Sequence, residues 1–246
     1  AAVWLRGAEW RLLGGIVPNA APCDDSLSAG ISANGDGTVV VGLAWNGCNF
    51  ARAFRWDEAS GMVDLGSTVP DRSSRADAVS GDGRVVVGWQ ELTIGFWQGA
   101  RWVDGRQTLF TGPGGIVGQA FAANADGSII VGQLCNPNEP LKQEAWIWTT
   151  RDGLTCLPPP RVRLPSYFLG KAIATSDDGR VIGGGQSFGL ESEAVIWLDR
   201  TPFYLKDYLR QQGVADAFEG WVNTGTITAM SRDGRVLAGY GAGPRD

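Results

Sequence analysis

The residues best placed to do chemistry are five Asp-Gly pairs, each separated by four residues from a further Gly. They are Asp36-Gly37…Gly42, Asp82-Gly83…Gly88, Asp126-Gly127…Gly132, Asp178-Gly179…Gly184 and Asp233-Gly234…Gly239. Asn34-Gly35-Asp36-Gly37 and Asp177-Asp178-Gly179 have the composition of calcium loops. A calcium ion takes about six to eight oxygen ligands, and no turn here carries a DxDxDG run. Tight-hairpin chemistry accounts for Asp beside Gly without a metal. No metal and no cofactor is expected.

Other catalytic constellations are thinner still. The chain has 246 residues and no His, which removes Ser-His-Asp and Cys-His catalysis along with the usual zinc sites. A glycosidase needs a pair of carboxylates facing one pocket. The strands that would line a central pocket offer only Asp77, with Asp24 and Asp25 at the start of another. A hydrolase is therefore the least favoured reading.

Aromatic and amide side chains make a better case for binding. Trp45, Trp89 and Tyr240 lie near where one strand passes into a loop, and Gln133 and Gln186 take comparable places elsewhere. Such groups around one mouth can stack on, and hydrogen-bond, a peptide or a sugar. The alternative is that these aromatics cover the cores of their loops.

Positioning such residues is the task of a repeat. The five aspartates are 46, 44, 52 and 55 residues apart, and a short apolar stretch ending in Trp recurs at Trp4, Trp56, Trp102, Trp148 and Trp197. Each copy reads as four strands. Arg75–Ser80 alternates, Gly81-Asp82-Gly83 turns, and Arg84–Gly88 is β-branched and continuous. The equivalents of Ala53–Trp56 and Gly61–Gly66 follow as third and fourth strands. Small residues line the first strand of each copy: Gly30/Ser32, Ala76/Ala78, Ala120/Ala122, Ala172/Ala174 and Ile227/Ala229. Crowding of first strands around an axis, with Trp outside, predicts an all-β, five-bladed β-propeller of four-stranded blades in one domain over 1–246. The repeats fall near 1–50, 51–98, 99–143, 144–192 and 193–246. The chain begins with a third strand (1–4) and a fourth (9–14) and ends after a second, so the N-terminal outer strands are expected to join the C-terminal inner hairpin as a fifth blade. Leu205, Tyr208 and Leu209 at helical spacing, with Gly213 as C-cap, predict a short helix within 201–210.

The unit Ala53-Phe54-Arg55-Trp56…Gly61–Gly66…Ala76–Gly88 resembles the HAF repeat of bacterial extracellular proteins, and the likeness extends over the whole chain. Asp207-Tyr208-Leu209 through Gly220-Trp221, then Ser231–Gly234 and Gly239-Tyr240-Gly241, looks like the closing repeat of such arrays. The third unit departs with Gly99-Ala100-Arg101-Trp102 and with Asn124 in place of Ser. The resemblance implies export, in some members as the passenger of a surface autotransporter. It implies no chemistry.

Composition agrees with export of a binding module. Four Cys support two disulfides, expected as Cys23–Cys48 and Cys135–Cys156, although four Cys allow three connectivities. Ala1–Trp4 opens in strand-like sequence, so no signal peptide is read, as in a mature secreted chain. A formal net charge of −5 argues against nucleic acid, and no apolar run is long enough for a membrane helix. The expected function is a non-catalytic, exported protein-binding or scaffold module at the bacterial surface, in the periplasm or outside the cell. The alternative is a lectin-like binder of surface glycans. In either case the partner is expected on the face carrying the variable loops 14–28, 66–75, 110–118 and 157–171.

Overall fold

A computed structural model of the protein describes residues 1–4, 9–16, 27–47, 50–135, 142–160, 167–189, 191–214 and 216–243. Cys23 and Cys48 lie outside the described residues. In chain order the strands are β1 (Ala2–Trp4), β2 (Trp10–Leu12), β3 (Ser28–Ala33), β4 (Val39–Asn46), β5 (Phe50–Asp57), β6 (Gly61–Asp64), β7 (Ser74–Val79), β8 (Val85–Glu91), β9 (Trp97–Val103) and β10 (Arg106–Leu109). They are followed by the small hairpin β11 (Thr111–Gly112) and β12 (Gly115–Ile116), then β13 (Ala120–Ala123), β14 (Ile129–Gln133), β15 (Lys142–Gln143), β16 (Ala145–Thr149) and β17 (Gly153–Leu157). The last stretch holds β18 (Phe168–Thr175), β19 (Val181–Phe188), β20 (Glu191–Leu198), β21 (Thr201–Tyr204), α1 (Leu205–Gln211), β22 (Asn223–Met230) and β23 (Leu237–Ala242).

The chain divides into two compact units, Ala1–Phe110 with Gly118–Gly127, and Thr111–Val117 with Ser128–Asp246. In the first, β3-β4-β5-β6 and β7-β8-β9-β10 are antiparallel four-stranded sheets, each spanning the end of one expected repeat and the start of the next. In the second, β18-β19-β20-β21 repeats the pattern, and it joins β14-β16-β17 through the single pair Gln133↔Lys171. The hairpins β1–β2 and β22–β23 stand as separate two-stranded sheets. Among the described residues, neither hairpin pairs with a further strand.

Within a unit, successive sheets stack face to face. Val39, Val41, Ala53, Leu65, Ala76, Val86 and Trp102 form one apolar layer between the first two sheets. The periodic Trp residues fill such layers: Trp56, Trp102 and Trp197 are buried. Trp4 is the departure, 55% exposed, although Ala1 and Val3 of its hairpin pack on Val40, Phe54 and Trp56.

The Asp-Gly turns have a structural purpose that the repeat spells out. Ser80 Oγ donates to Asp82 Oδ1 (2.6 Å) and accepts from Val85 N (2.9 Å), and the same Asp oxygen accepts from Arg84 N (3.0 Å). Ser176 with Asp178, and Ser231 with Asp233, repeat these bonds, while Asn34 replaces the Ser and caps Val39 N. The hydroxyls of Thr38, Ser176 and Ser231 first, and backbone N–H groups next, hold the carboxyls of Asp36, Asp178 and Asp233 below the usual range. These carboxylates are occupied by their own hairpins.

The second Gly of each motif answers a different demand. Each of four first strands carries a bulge, for example between Ala76 and Ala78. The displaced carbonyl of Arg75 then lies 1.9 Å from where a Cβ on Gly88 would stand, so only Gly fits. The expected helix is present as α1. Gly213, at φ +85°, ends it by donating to Arg210 O (3.1 Å).

Candidate functional site

The first unit presents an apolar projection on the loop between β8 and β9. Leu92 N donates to Phe96 O (2.8 Å) and Gly95 N to Leu92 O (2.9 Å), closing a tight turn around Gly95 at φ +82°. The turn holds Ile94 and Phe96 out in solvent, at 69% and 70% exposure, beside half-exposed Trp97. Three large apolar residues at a loop tip are not there for the core.

What holds this tip in place lies beneath it. Trp97 stacks on Trp89 with ring centroids 4.6 Å apart and planes at 19°. Trp89 is buried, and its indole N–H has no hydrogen-bond partner among the described residues. The Arg75 guanidinium stands 5.5 Å over the Trp89 ring. Arg72 reaches across from the preceding loop, donating to Thr93 O (2.7 Å) and pairing with Glu91 (3.4 Å). Arg52 in turn donates to Arg72 O.

Behind Trp89 is a buried polar group. Asp77 is the bulge residue of β7, and its carboxylate meets Arg75 Nη2 at 2.7 Å and Gln119 Nε2 at 2.9 Å. Burial pushes the Asp77 carboxyl up to about 6, against the opposing pull of Arg75 and Gln119. Asp77 is the only acidic residue on the described first strands β3, β7, β13, β18 and β22, so no second carboxylate accompanies it there.

Of the five residues singled out in the sequence, Trp45 and Trp89 lie in the first unit and Gln133, Gln186 and Tyr240 in the second. Trp89 is in the site, but as the buried support, with Trp97 as the presented ring. Trp45 lies near the end of β4, three residues beyond Gly42, whereas Trp89 and Tyr240 directly follow Gly88 and Gly239; the three are not in one register. Trp45 is partly exposed, and its backbone N–H donates to Leu27 O (3.1 Å). In the second unit, Gln133 and Gln186 are buried. The Gln133 backbone carbonyl accepts from Trp146 Nε1 (2.7 Å), and the Gln186 side-chain Oε1 accepts from Tyr204 OH (3.4 Å). Tyr240 is 69% exposed beside an apolar groove lined by Phe218, Trp221, Leu205 and Leu237.

Sequence reasoning passed over Trp97, Phe96 and Ile94, although a run of large apolar residues broken by Gly inside a loop was a usable signal. It also passed over Gln90, two residues after Gly88. Its buried Oε1 accepts from Ser67 Oγ, Thr68 N and Thr68 Oγ1 at 3.0–3.1 Å and so moors the long loop leading to β7. In the second unit Cys135 and Cys156 form a disulfide with Cα atoms 5.6 Å apart, pinning the end of β14 to β17.

No protein-family description and no curated protein matches the chain. Among solved structures, it is similar to TolB from Acinetobacter baumannii, with a TM-score of 0.50 and 16% identity over 71% of this chain and 41% of that one. It is also similar to a putative TolB from Agrobacterium tumefaciens, with a TM-score of 0.54 and 10% identity over 74% of this chain and 66% of that one. The fold is of the β-propeller kind. A puromycin hydrolase mutant complexed with PGG aligns at a TM-score of 0.48 and 16% identity, over 74% of this chain and 29% of that one. The chain thus spans less than half the length of the first TolB it matches. At these identities the likeness concerns the fold alone.

Proposed function

We propose that this chain is the β-propeller module of an exported bacterial protein that binds a protein partner and carries out no catalysis of its own. The observation that carries the reading is the Ile94–Phe96–Trp97 tip. A folded chain gains nothing by exposing three large apolar side chains, and this tip is braced by ring stacking and by Arg72, so little ordering is left to be done on binding. The Cys135–Cys156 disulfide supports export, since such bonds persist in oxidising compartments. The HAF-repeat resemblance points the same way. For the absence of catalysis, the support is that Asp77 is tied to Arg75 and Gln119 and that the described first strands carry no second carboxylate for glycoside chemistry, Asp24 and Asp25 lying outside the described residues.

The same reading takes the ring to five blades in one domain, completed when β1–β2 adds to the open edge of β23. Trp4 supports this, being exposed where Trp56, Trp102 and Trp197 are buried. Val236 is 65% exposed, although its counterparts Val39, Val85 and Val181 each pack on a turn Gly. Hydrogen exchange tests closure. The edge-facing amides of β23 are protected if β1 pairs with them and exchange freely if the ring stays open.

A second reading, a lectin-like binder of surface glycans, is favoured by the stacked indole pair, because a sugar face packs well on a rigid aromatic platform. One experiment separates the two. The protein and its Phe96→Ala/Trp97→Ala variant are compared on an envelope protein extract and on a glycan array. Protein capture that the variant loses supports the first reading, and glycan retention that the variant loses supports the second. Binding that the variant keeps would move the site elsewhere.

A further inference from the structure

The second unit has a cleft of about 390 Å³ on the side of its Asp-Gly turns, where Arg151, Arg180 and Arg200 come together over Ile129 and Ile147. Nothing in the loop-face reading uses it. Arg200 is the telling residue. The hairpins joining third to fourth strands end in Gly61 (φ +67°), Gly105 (φ +73°) and Gly153 (φ +70°), and in the fourth copy that place is Arg200 at φ +68°. A side chain there resists the left-handed backbone that Gly adopts without strain. Asp104-Gly105 and Asp199-Arg200 are otherwise the same two-residue turn, closing Val103↔Arg106 and Leu198↔Thr201.

Within the chain, Arg200 gains little in exchange. Its Nη2 is 3.5 Å from Asp152 Oδ2 and its Nη1 is 3.5 Å from Thr155 Oγ1, both at the limit of a hydrogen bond. Asp152 already accepts two bonds from Arg151, at 2.9 and 3.1 Å. Arg180 spends only its Nε on Asp199, at 2.9 Å. Asp178, the third carboxylate of the cleft, is taken up by Ser176 Oγ and Arg180 N of its own turn, so among the described residues the Nη groups of Arg180 have no acceptor and those of Arg200 have only the two long contacts.

We propose that this cleft binds a carboxylate-bearing peptide segment, with Arg200 and Arg180 receiving the carboxylate. The guanidinium fork suits a carboxylate bidentately. Asp152 and Asp199 at the rim disfavour a polyanion, and they accept the backbone N–H groups that a polypeptide places beside its carboxylate. Ile129 and Ile147 give an apolar surface for the adjoining side chain.

The probe is a fluorescein-labelled hexapeptide ending in Glu-Leu, prepared as the free acid and as the C-terminal amide, with inorganic sulfate as competitor. The free acid is expected to bind saturably and at least tenfold more tightly than the amide. Arg200→Gly should weaken it at least tenfold while the melting temperature stays level or rises, because the left-handed strain is relieved. Arg180→Gln should weaken it similarly. A purely structural role for Arg200 would instead lower the melting temperature and leave binding alone. Four results each overturn the proposal: no saturable binding by 1 mM, equal binding of acid and amide, wild-type affinity in Arg200→Gly, or sulfate binding as tightly as the peptide. The loop-face reading is untouched by any of them, since its test uses Phe96 and Trp97.

Discussion

Val85 fills the space that a side chain on Gly127 would need: its Cγ2 lies 2.4 Å from the position of a Cβ there. The contact recurs within each unit as Val39 on Gly83, Ile129 on Gly179 and Val181 on Gly234, at 3.0, 2.8 and 2.9 Å. The first residue of one second strand thus caps the turn Gly of the next blade. Turn-to-turn hydrogen bonds run alongside, from Gly35 N to Gly81 O and from Asp82 N to Ala125 O, at 3.0 and 2.9 Å. The Asp-Gly motif therefore sets both the hairpin and the spacing between blades.

Gly127→Ala should in consequence carry two costs, the left-handed backbone and the collision with Val85, together about 2–4 kcal/mol. Gly153→Ala is the control. At φ +70° with open space around it, it should lose only about 1–2 kcal/mol. Urea unfolding of the two variants measures the difference, and equal losses would mean that Val85 gives way.

Much of this was legible in the sequence, because the devices repeat. Asp-Gly pairs at recurring spacing read as hairpins in register, and the Trp recurring in step with them is buried at Trp56, Trp102 and Trp197 but exposed at Trp4. The exposed tip does not repeat, so its one signal was local, a run of large apolar residues broken by Gly95. Ile94, Phe96 and Trp97 occur once, and nothing in their types says that Trp97 rather than Trp89 is presented. The burial of Gln133 and Gln186 was hidden for the opposite reason. Gln is usually a surface residue, and only the pairing of β14 with β16 and of β19 with β20 encloses these two.

Asp77 gives the protein a pH dependence of definite sign. Its carboxyl titrates at about 6 in the folded chain against 3.8 as a free side chain, so the folded state binds the extra proton. Its contribution is therefore fully present below about pH 4 and lost as pH rises through 6. At about 1.4 kcal/mol per unit, the span is at most about 3 kcal/mol. Asp77→Asn keeps the shape and removes the titration. The stability difference between wild type and variant, followed by urea unfolding from pH 3.5 to 7.5, should shift against the wild type between pH 4 and 6. A flat difference would show that Arg75 keeps the carboxylate ionised throughout.

Reduction of Cys135–Cys156 opens a loop of 21 residues. Loop entropy of that size corresponds to about 3 kcal/mol of stability. Cys135→Ser/Cys156→Ser should lower the urea midpoint accordingly, and dithiothreitol should destabilise the wild type but not the double variant with respect to this bond. The variant should leave any binding at the Trp97 tip unchanged, because the bond lies in the other unit.

The indole pair should separate support from presentation. Trp89 is buried and carries stacking on one side and Arg75 near its face, so Trp89→Ala should cost about 3–5 kcal/mol. Trp97 is half exposed, and its removal forfeits the stacking and part of the buried area, about 1–2 kcal/mol. Phe96 stands in solvent, and Phe96→Ala should change stability by less than about 0.5 kcal/mol. Near-UV circular dichroism follows the same division, since two indoles 4.6 Å apart couple strongly. That signal should vanish in Trp89→Ala and in Trp97→Ala alike and persist in Phe96→Ala. If Phe96→Ala instead destabilised the fold as much as Trp89→Ala, the tip would belong to the core, and its exposure would no longer argue for a partner.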